Sequence, residues 1–278
     1  MPSVVITGAA GGLGSASVRR LAASGWTVFA ADLDSPALHA LAAERVVPVV
    51  VDVTDDESVL SLAGRVSERT ATLDAVVNFA GVLGIGPLVE IDPSYFRRVM
   101  DVNVVGGFLV NRALFPQLAA AKGRIVLLSS ETGWQTAMPF NGPYAISKHA
   151  VEAYGDALRR EVAMLDVDVV KIRPGAFKTG MVAGIMGRFD EMAARSQHYE
   201  RVLQLAKRRI PQEERRAGDP ADLAALIEKV LTVRRPRPAY RIHTNPQAAA
   251  LNALPTRVID RMLLTAFRRT AGTADKRR

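Results

Sequence analysis

The chain alternates short, almost uninterrupted apolar runs with longer stretches whose apolar residues recur every three or four positions. "SVVITG", "WTVFAADLD", "RVVPVVVDVTD", "LDAVVNFAG", "GRIVLLSSETG" and "DVDVVKIRPGAFKTG" are rich in Val, Ile and Leu and show little polar alternation. Runs of that kind are what strands buried on both faces need. Helical spacing fills the gaps. It runs from Leu13 to Ser24, through "FRRVMDVNVVGGFLVNRALFPQLAAA", and through "GPYAISKHAVEAYGDALRRE". Strands separated by helices imply right-handed crossovers and a parallel sheet. The expected fold is therefore α/β, a doubly wound and mostly parallel sheet with ligands at the carboxyl ends of its strands. "RRPRPAYR" reads as a connector into a late strand at "AYRIH", and the pattern turns helical again after Asn245.

Composition narrows the chemistry. A chain of 278 residues fits one α/β domain, or at most two. At 49% hydrophobic and 23% charged it has the make-up of a soluble globular protein. The absence of cysteine excludes disulfides, thiol nucleophiles and thiolate metal sites. His39, His149, His198 and His243 share no ligand spacing, so no metal site is expected. The start, "MPSVVITGAA", has no basic region and no long apolar run, so no signal peptide is expected, and no uninterrupted run of apolar residues is long enough to span a bilayer. A cytoplasmic protein is expected. Charge is uneven: residues 201–278 hold 18 Lys and Arg against 7 Asp and Glu, within a whole-chain balance of +8.

The first strand ends in "TGAAGGLG", which puts Gly8, Gly12 and Gly14 at a strand-to-helix turn. A turn without side chains lets backbone N–H groups reach a pyrophosphate, and the helix N-terminus adds partial positive charge. Glycines alone equally make a structural turn. Asp32 ends the second strand, 18 residues after Gly14. A carboxylate there accepts hydrogen bonds from an adenosine ribose and repels a 2′-phosphate. The other account of Asp32 is a helix cap, since "DLDSPAL" starts a helix. NAD is expected, with NADP disfavoured.

Several separated segments, in order, resemble the short-chain dehydrogenase/reductase family, closest to its retinol, hydroxysteroid and 3-hydroxybutyrate dehydrogenase branch. The likeness runs from Ser3 to about Thr179. The resemblance implies a Rossmann-type domain over 1–245, including a substrate lid over 179–218. "TGAAGGLG" is similar to the family's phosphate loop, which adds Leu13; Leu33 follows Asp32 at the adenosine end. "VDVTD" implicates Asp52 and Val53. "NFAG" keeps Asn78, Ala80 and Gly81, with Phe79 as a packing variant. "DVNVVG" supplies Asn103, "LLSSETG" supplies Ser130, and "YAISK" supplies Tyr144 and Lys148. "RPGAFKT" resembles the segment that holds the nicotinamide amide, through Pro174, Gly175, Phe177 and Thr179.

The resemblance makes Asn103, Ser130, Tyr144 and Lys148 the catalytic set. Tyr144 and Lys148 lie one helical turn apart. A free tyrosine has a pKa near 10, and neighbouring positive charge favours the phenolate, so Lys148 and the charge of an oxidised nicotinamide are expected to lower that value. Ser130 is expected to hold the substrate oxygen against Tyr144. That Lys148 fixes the nicotinamide ribose, and that Asn103 holds a proton-relaying water, are implied by the resemblance. Alone, each residue has a plainer account: a helix surface pair, turn serines, a locally bonded asparagine. Tyr154 falls off the Lys148 face and reads as packing.

Methionine and small apolar residues in the lid suggest an adaptable pocket for a hydrophobic alcohol or ketone. The extension 246–278 is basic and amphipathic. Val258, Ile259, Met262, Leu263, Ala266 and Phe267 recur at helical spacing, with Arg257, Arg261 and Arg268 near the other face. Packing on its own domain is favoured over an anionic membrane surface. A nucleic-acid partner is disfavoured, because the basic tail has few aromatics. A non-catalytic dinucleotide sensor is the alternative function, although that class usually loses the Tyr/Lys pair. A homodimer or homotetramer is implied by the resemblance.

Overall fold

The computed structural model describes residues 1–180, 184–208 and 215–275. The expected sheet is present with seven strands. β1 (Ser3–Thr7), β2 (Thr27–Asp32), β3 (Val46–Val50), β4 (Ala75–Asn78), β5 (Arg124–Leu128), β6 (Asp168–Pro174) and β7 (Ala239–Ile242) lie in the order β3-β2-β1-β4-β5-β6-β7. Every pairing is parallel. The order reverses between β1 and β4, which opens a crevice at their carboxyl ends.

The β1 sequence shows why both faces are covered. Val4 and Ile6 point into one layer and Val5 into the other, all fully buried. The first layer is closed by α1 (Gly12–Ala23) and a later helix over Pro220–Thr232, through Val18, Leu21, Leu223 and Ile227. The second is closed by α3 (Asp56–Ser67), α5 (Gly106–Ala121) and α6 (Gly142–Val162), through Leu62, Leu114, Leu118 and Val151. The short α2 (Pro36–His39) is capped by Ser35, not by Asp32. The remaining helices are α7 (Ile185–Arg195), α8 (Glu200–Lys207), α9 (Pro220–Thr232), α10 (Pro246–Leu251) and α11 (Thr256–Asp275).

The helix expected through "FRRVMDVNVV" has a defect in it. α4 (Pro93–Met100) runs through a π-helical turn, Asp101–Val105, into α5. Asn103 sits in that turn, where the extra residue re-aims its side chain. Taken together, Pro93–Ala121 is long and apolar enough by length and composition to cross a membrane. A search for unbroken apolar runs passes over this helix because polar residues interrupt it. Here its inner face packs on the sheet through Val110, Leu114 and Leu118.

α6 is pinned to β6 by charge. Glu152 receives two guanidinium hydrogen bonds from Arg173, at 2.8 and 2.7 Å, and pairs with Lys171 at 2.9 Å. Lys171 is buried and also reaches Asp156 at 2.9 Å. Burial would raise the Glu152 pKa, but the hydrogen bonds from Arg173 and Lys171 hold it below the usual carboxylate range. Its contribution to stability is therefore present above the ordinary glutamate pKa. It is lost as pH falls through the depressed folded value. Removing one partner leaves buried charge uncompensated, so Glu152→Ala is expected to cost about 3 kcal/mol by chemical denaturation.

Candidate active site

The carboxyl ends of six strands converge on the crevice and line one cavity of about 1380 Å³. That exceeds the usual range for one small ligand, roughly 300–1,000 Å³, and has room for a dinucleotide and a substrate together. Gly8, Gly12, Leu13 and Gly14 line it from the β1 turn, Asp32 and Leu33 from β2, and Asp52 and Val53 from the loop after β3. Ala80 and Gly81 come from β4, Ser130 from β5, Tyr144 and Lys148 from α6, and Pro174, Gly175, Phe177 and Thr179 from β6.

The glycines fit a ligand that needs bare backbone. Gly8 holds φ at +66° and a Cβ there would lie 2.7 Å from the Ala80 nitrogen. A Cβ on Gly14 would fall 2.1 Å from the Gly8 carbonyl oxygen. Asp32 steadies the turn: its carboxylate accepts from the backbone N–H of Ala10 and of Leu33, both at 2.8 Å. One oxygen thus ties the glycine turn to the end of β2, while the side chain still borders the cavity. Asp52 accepts from the Thr54 N–H and hydroxyl, and its pKa is lowered by those bonds, with Arg98 adding to the effect. This set of bare N–H groups and a carboxylate suits a dinucleotide.

The Tyr144 hydroxyl is hydrogen-bonded to Ser130. The Lys148 ammonium lies 5.5 Å from the Tyr144 ring centroid and donates to the Leu128 carbonyl at 2.8 Å. Burial dominates both groups. It raises the Tyr144 pKa to about 12, against a smaller lowering by the Ser130 bond, with Glu131 raising it further. It lowers the Lys148 pKa to about 8. The expectation that Lys148 makes the phenol more acidic therefore does not hold for the protein by itself. By the pH at which Tyr144 ionises, Lys148 has already lost its proton.

Asn78 and Asn103 stand apart from the main cavity. They line a second one of about 20 Å³, roughly the room one water needs. The Asn103 carboxamide is committed. Its oxygen accepts from the Val82 N–H at 2.7 Å, and its nitrogen donates to the Val82 carbonyl and to Ser147 Oγ, each at 2.9 Å. In this arrangement the side chain braces the β4 loop against α6. Asn78 donates to Asn111 at 2.9 Å, and Asn111 donates to the Tyr154 hydroxyl at 3.1 Å. Tyr154 also packs edge-on against Phe108, in keeping with a packing role.

Most of the other residues in and around the pocket were not singled out in the sequence. Glu131 borders the cavity and accepts from the Asn245 N–H at 2.7 Å, joining the β5 loop to α10. Its place directly after Ser130 was the available signal. Trp134 is covered by the Arg241 guanidinium at 3.8 Å, a contact between distant segments that no local pattern announces. The apolar wall is formed by Met138, Phe140, Ile185, Phe189, Leu263 and Phe267. Phe140 meets Tyr199 and Phe267 edge-to-face, so α11 packs on the domain and forms part of the pocket.

A crevice lined with bare backbone N–H groups, beside a serine, tyrosine and lysine facing an apolar cavity, defines an alcohol/ketone oxidoreductase. Comparison with known proteins gives the family. The model of the short chain dehydrogenases matches residues 2–187. The chain is 31% identical to retinol dehydrogenase 16 and 32% identical to retinol dehydrogenase 5, both of Mus musculus. Each match covers 94% of this chain and 87% of the relative. Among solved structures, a short-chain dehydrogenase/reductase from Burkholderia phymatum in complex with NAD superposes with a TM-score of 0.77 at 26% identity, covering 94% of this chain and 95% of that one. Levodione reductase does so at 0.76 and 26%, covering 90% and 98%. The chain belongs to the short-chain dehydrogenase/reductase family, which binds NAD(P), and its likeness is to the retinol dehydrogenase branch.

Proposed function

We propose that the protein is an NAD-dependent oxidoreductase that interconverts a secondary alcohol and a ketone on a hydrophobic substrate. The observation that carries this reading is the position of Tyr144 and Ser130, hydrogen-bonded to each other where the glycine-lined crevice meets the apolar wall. A nicotinamide dinucleotide, which the glycine turn and the segment with Pro174, Gly175, Phe177 and Thr179 would hold, would supply the hydride acceptor for oxidation and the donor for reduction. Tyr144 moves the proton: it accepts from the substrate hydroxyl as the carbonyl forms, and donates in the reverse direction. Ser130 holds the substrate oxygen against the phenol. Lys148, anchored by the Leu128 carbonyl, brings positive charge to the site, and Asn103 keeps α6 in register with the β4 loop.

Met138, Phe140, Phe189 and Phe267 favour a bulky apolar substrate body such as a steroid, retinoid or acyl chain. Turnover of hydrophobic secondary alcohols in a pooled screen is the expected result, and turnover of sugars or polyols alone would overturn the substrate class. Asp32 supports NAD over NADP, since its carboxylate borders the place where a 2′-phosphate would sit. Asp32→Ala is expected to lower the NAD/NADP ratio of kcat/KM by about tenfold or more. An unchanged ratio would remove Asp32 as the selector. Exposed Val105 and Phe108 on the outer side of Pro93–Ala121 support self-association as a dimer or tetramer.

A further inference from the structure

The turn that follows β5 concentrates unanswered hydrogen-bonding groups. Among the described residues, six buried side-chain polar atoms have no hydrogen-bond partner. Four of them fall in one short segment: Ser129 Oγ, Thr132 Oγ1, Trp134 Nε1 and Gln135 Nε2. Buried polar groups are as a rule paired, so a cluster of orphans needs a reason. Thr132 and Gln135 also line the main cavity. They stand three residues apart on the 3₁₀ turn Glu131–Gly133, which the Gln135 N–H extends by donating to the Glu131 carbonyl at 3.2 Å. That spacing brings two side chains to the same side of a 3₁₀ turn. Neither side chain holds the turn in place. The Thr132 N–H donates to Ser130 Oγ at 3.2 Å. The Thr136 N–H and hydroxyl donate to Asn252 Oδ1 at 2.7 and 2.9 Å, and Asn252 Nδ2 donates to the Trp134 carbonyl at 3.2 Å. Gln135 itself is only 6% exposed, so its donor sits in the cavity wall, shut off from bulk water.

We propose that Gln135, with Thr132, determines specificity by binding a second, neutral oxygen of the substrate, a carbonyl or hydroxyl a few bonds from the carbinol carbon. The inference rests on the oxidoreductase reading above and adds to it a substrate with two oxygens on an otherwise apolar body. A carboxamide N–H and a hydroxyl are both donors, so the group they lack is an acceptor. The second oxygen lies near the first, because the turn begins at Ser130, which holds the reacting oxygen. At about 2.0 Å per residue, Gln135 stands no more than about 10 Å along the turn from it. The acceptor is neutral, because Glu131 borders the same cavity and its charge is felt at Tyr144, so a carboxylate would meet like charge. A plain apolar alcohol would leave both donors desolvated and unpaired, the condition under which a polar site discriminates most strongly.

The test compares decan-2-ol with its 4-oxo, 6-oxo and 8-oxo derivatives at saturating NAD. The 4-oxo or 6-oxo alcohol is expected to exceed decan-2-ol in kcat/KM by roughly tenfold or more, and the 8-oxo alcohol by less. Gln135→Leu keeps a side chain of similar size and removes the donor, so the preference should fall to within about twofold of unity. Thr132→Val should reduce it by a smaller factor, and Gln135→Asn, with the same carboxamide on a shorter stem, should restore part of it. NAD affinity by fluorescence titration and the circular dichroism spectrum should stay parental in all three variants. Equal kcat/KM for the four alcohols in the parent would overturn the proposal. So would a preference that survives Gln135→Leu, or a loss of NAD affinity in that variant with an unchanged spectrum, which would give the donors to the dinucleotide. No turnover of any alcohol by the parent would instead strike the oxidoreductase reading itself, and this inference with it.

Discussion

Tyr144→Phe is expected to lower kcat/KM for alcohol oxidation by roughly 10²–10⁴ while leaving dinucleotide affinity within a few-fold of the parent. The substitution removes one oxygen and keeps the ring against the α6 wall, so folding is little affected. The oxygen is bonded to Ser130, and Lys148 lies against the ring. Without it the substrate hydroxyl has no acceptor for its proton at the moment hydride leaves. Steady-state rates at saturating cofactor, with cofactor binding measured separately, check the prediction. A variant that keeps parental kcat/KM would remove Tyr144 from the proton transfer.

Gly14→Ala is expected to weaken dinucleotide binding on the order of a hundredfold, through displacement of a turn that must be placed within about an ångström. The added Cβ would lie 2.1 Å from the Gly8 carbonyl oxygen and 2.8 Å from Ala9 Cα, both backbone atoms. The turn cannot yield toward β4, because Gly8 already packs against Ala80. Crowding of this kind also costs about 1–3 kcal/mol of stability. Titration of NAD against intrinsic fluorescence, with a thermal melt alongside, reads both effects. Parental affinity in the variant would show that the glycine turn does not carry the cofactor.

The central strands were legible because a doubly wound sheet buries them on both faces, which leaves runs such as "AVVN" and "RIVLL" that no amphipathic helix would show, whereas the partly exposed edge strand β7 was announced by the Pro/Arg-rich connector before it. The positions of the site residues followed, since loops at the carboxyl ends of parallel strands must meet. What the chain did not disclose depends on three-dimensional surroundings. The π turn at Asn103 has no signature in "DVNVV", and the commitment of its carboxamide to Val82 and Ser147 follows from that turn. The effect of burial on Tyr144 and Lys148 could not be weighed from their four-residue spacing, which shows proximity but not the absence of water. That α11 lines the pocket was hidden because a helical repeat shows periodicity without saying what its apolar face meets.

The pKa values of the pair give the account a specific content. Alone, the protein holds Tyr144 as a neutral phenol and lets Lys148 lose its proton first. Proton transfer near neutral pH therefore needs the positive charge of the oxidised dinucleotide beside the phenol, together with a Lys148 that stays charged. Titration of phenolate absorbance, parent minus Tyr144→Phe, isolates this one hydroxyl in the presence and absence of NAD. The account predicts ionisation near pH 12 without NAD and at distinctly lower pH with it; identical curves in the two conditions would contradict it.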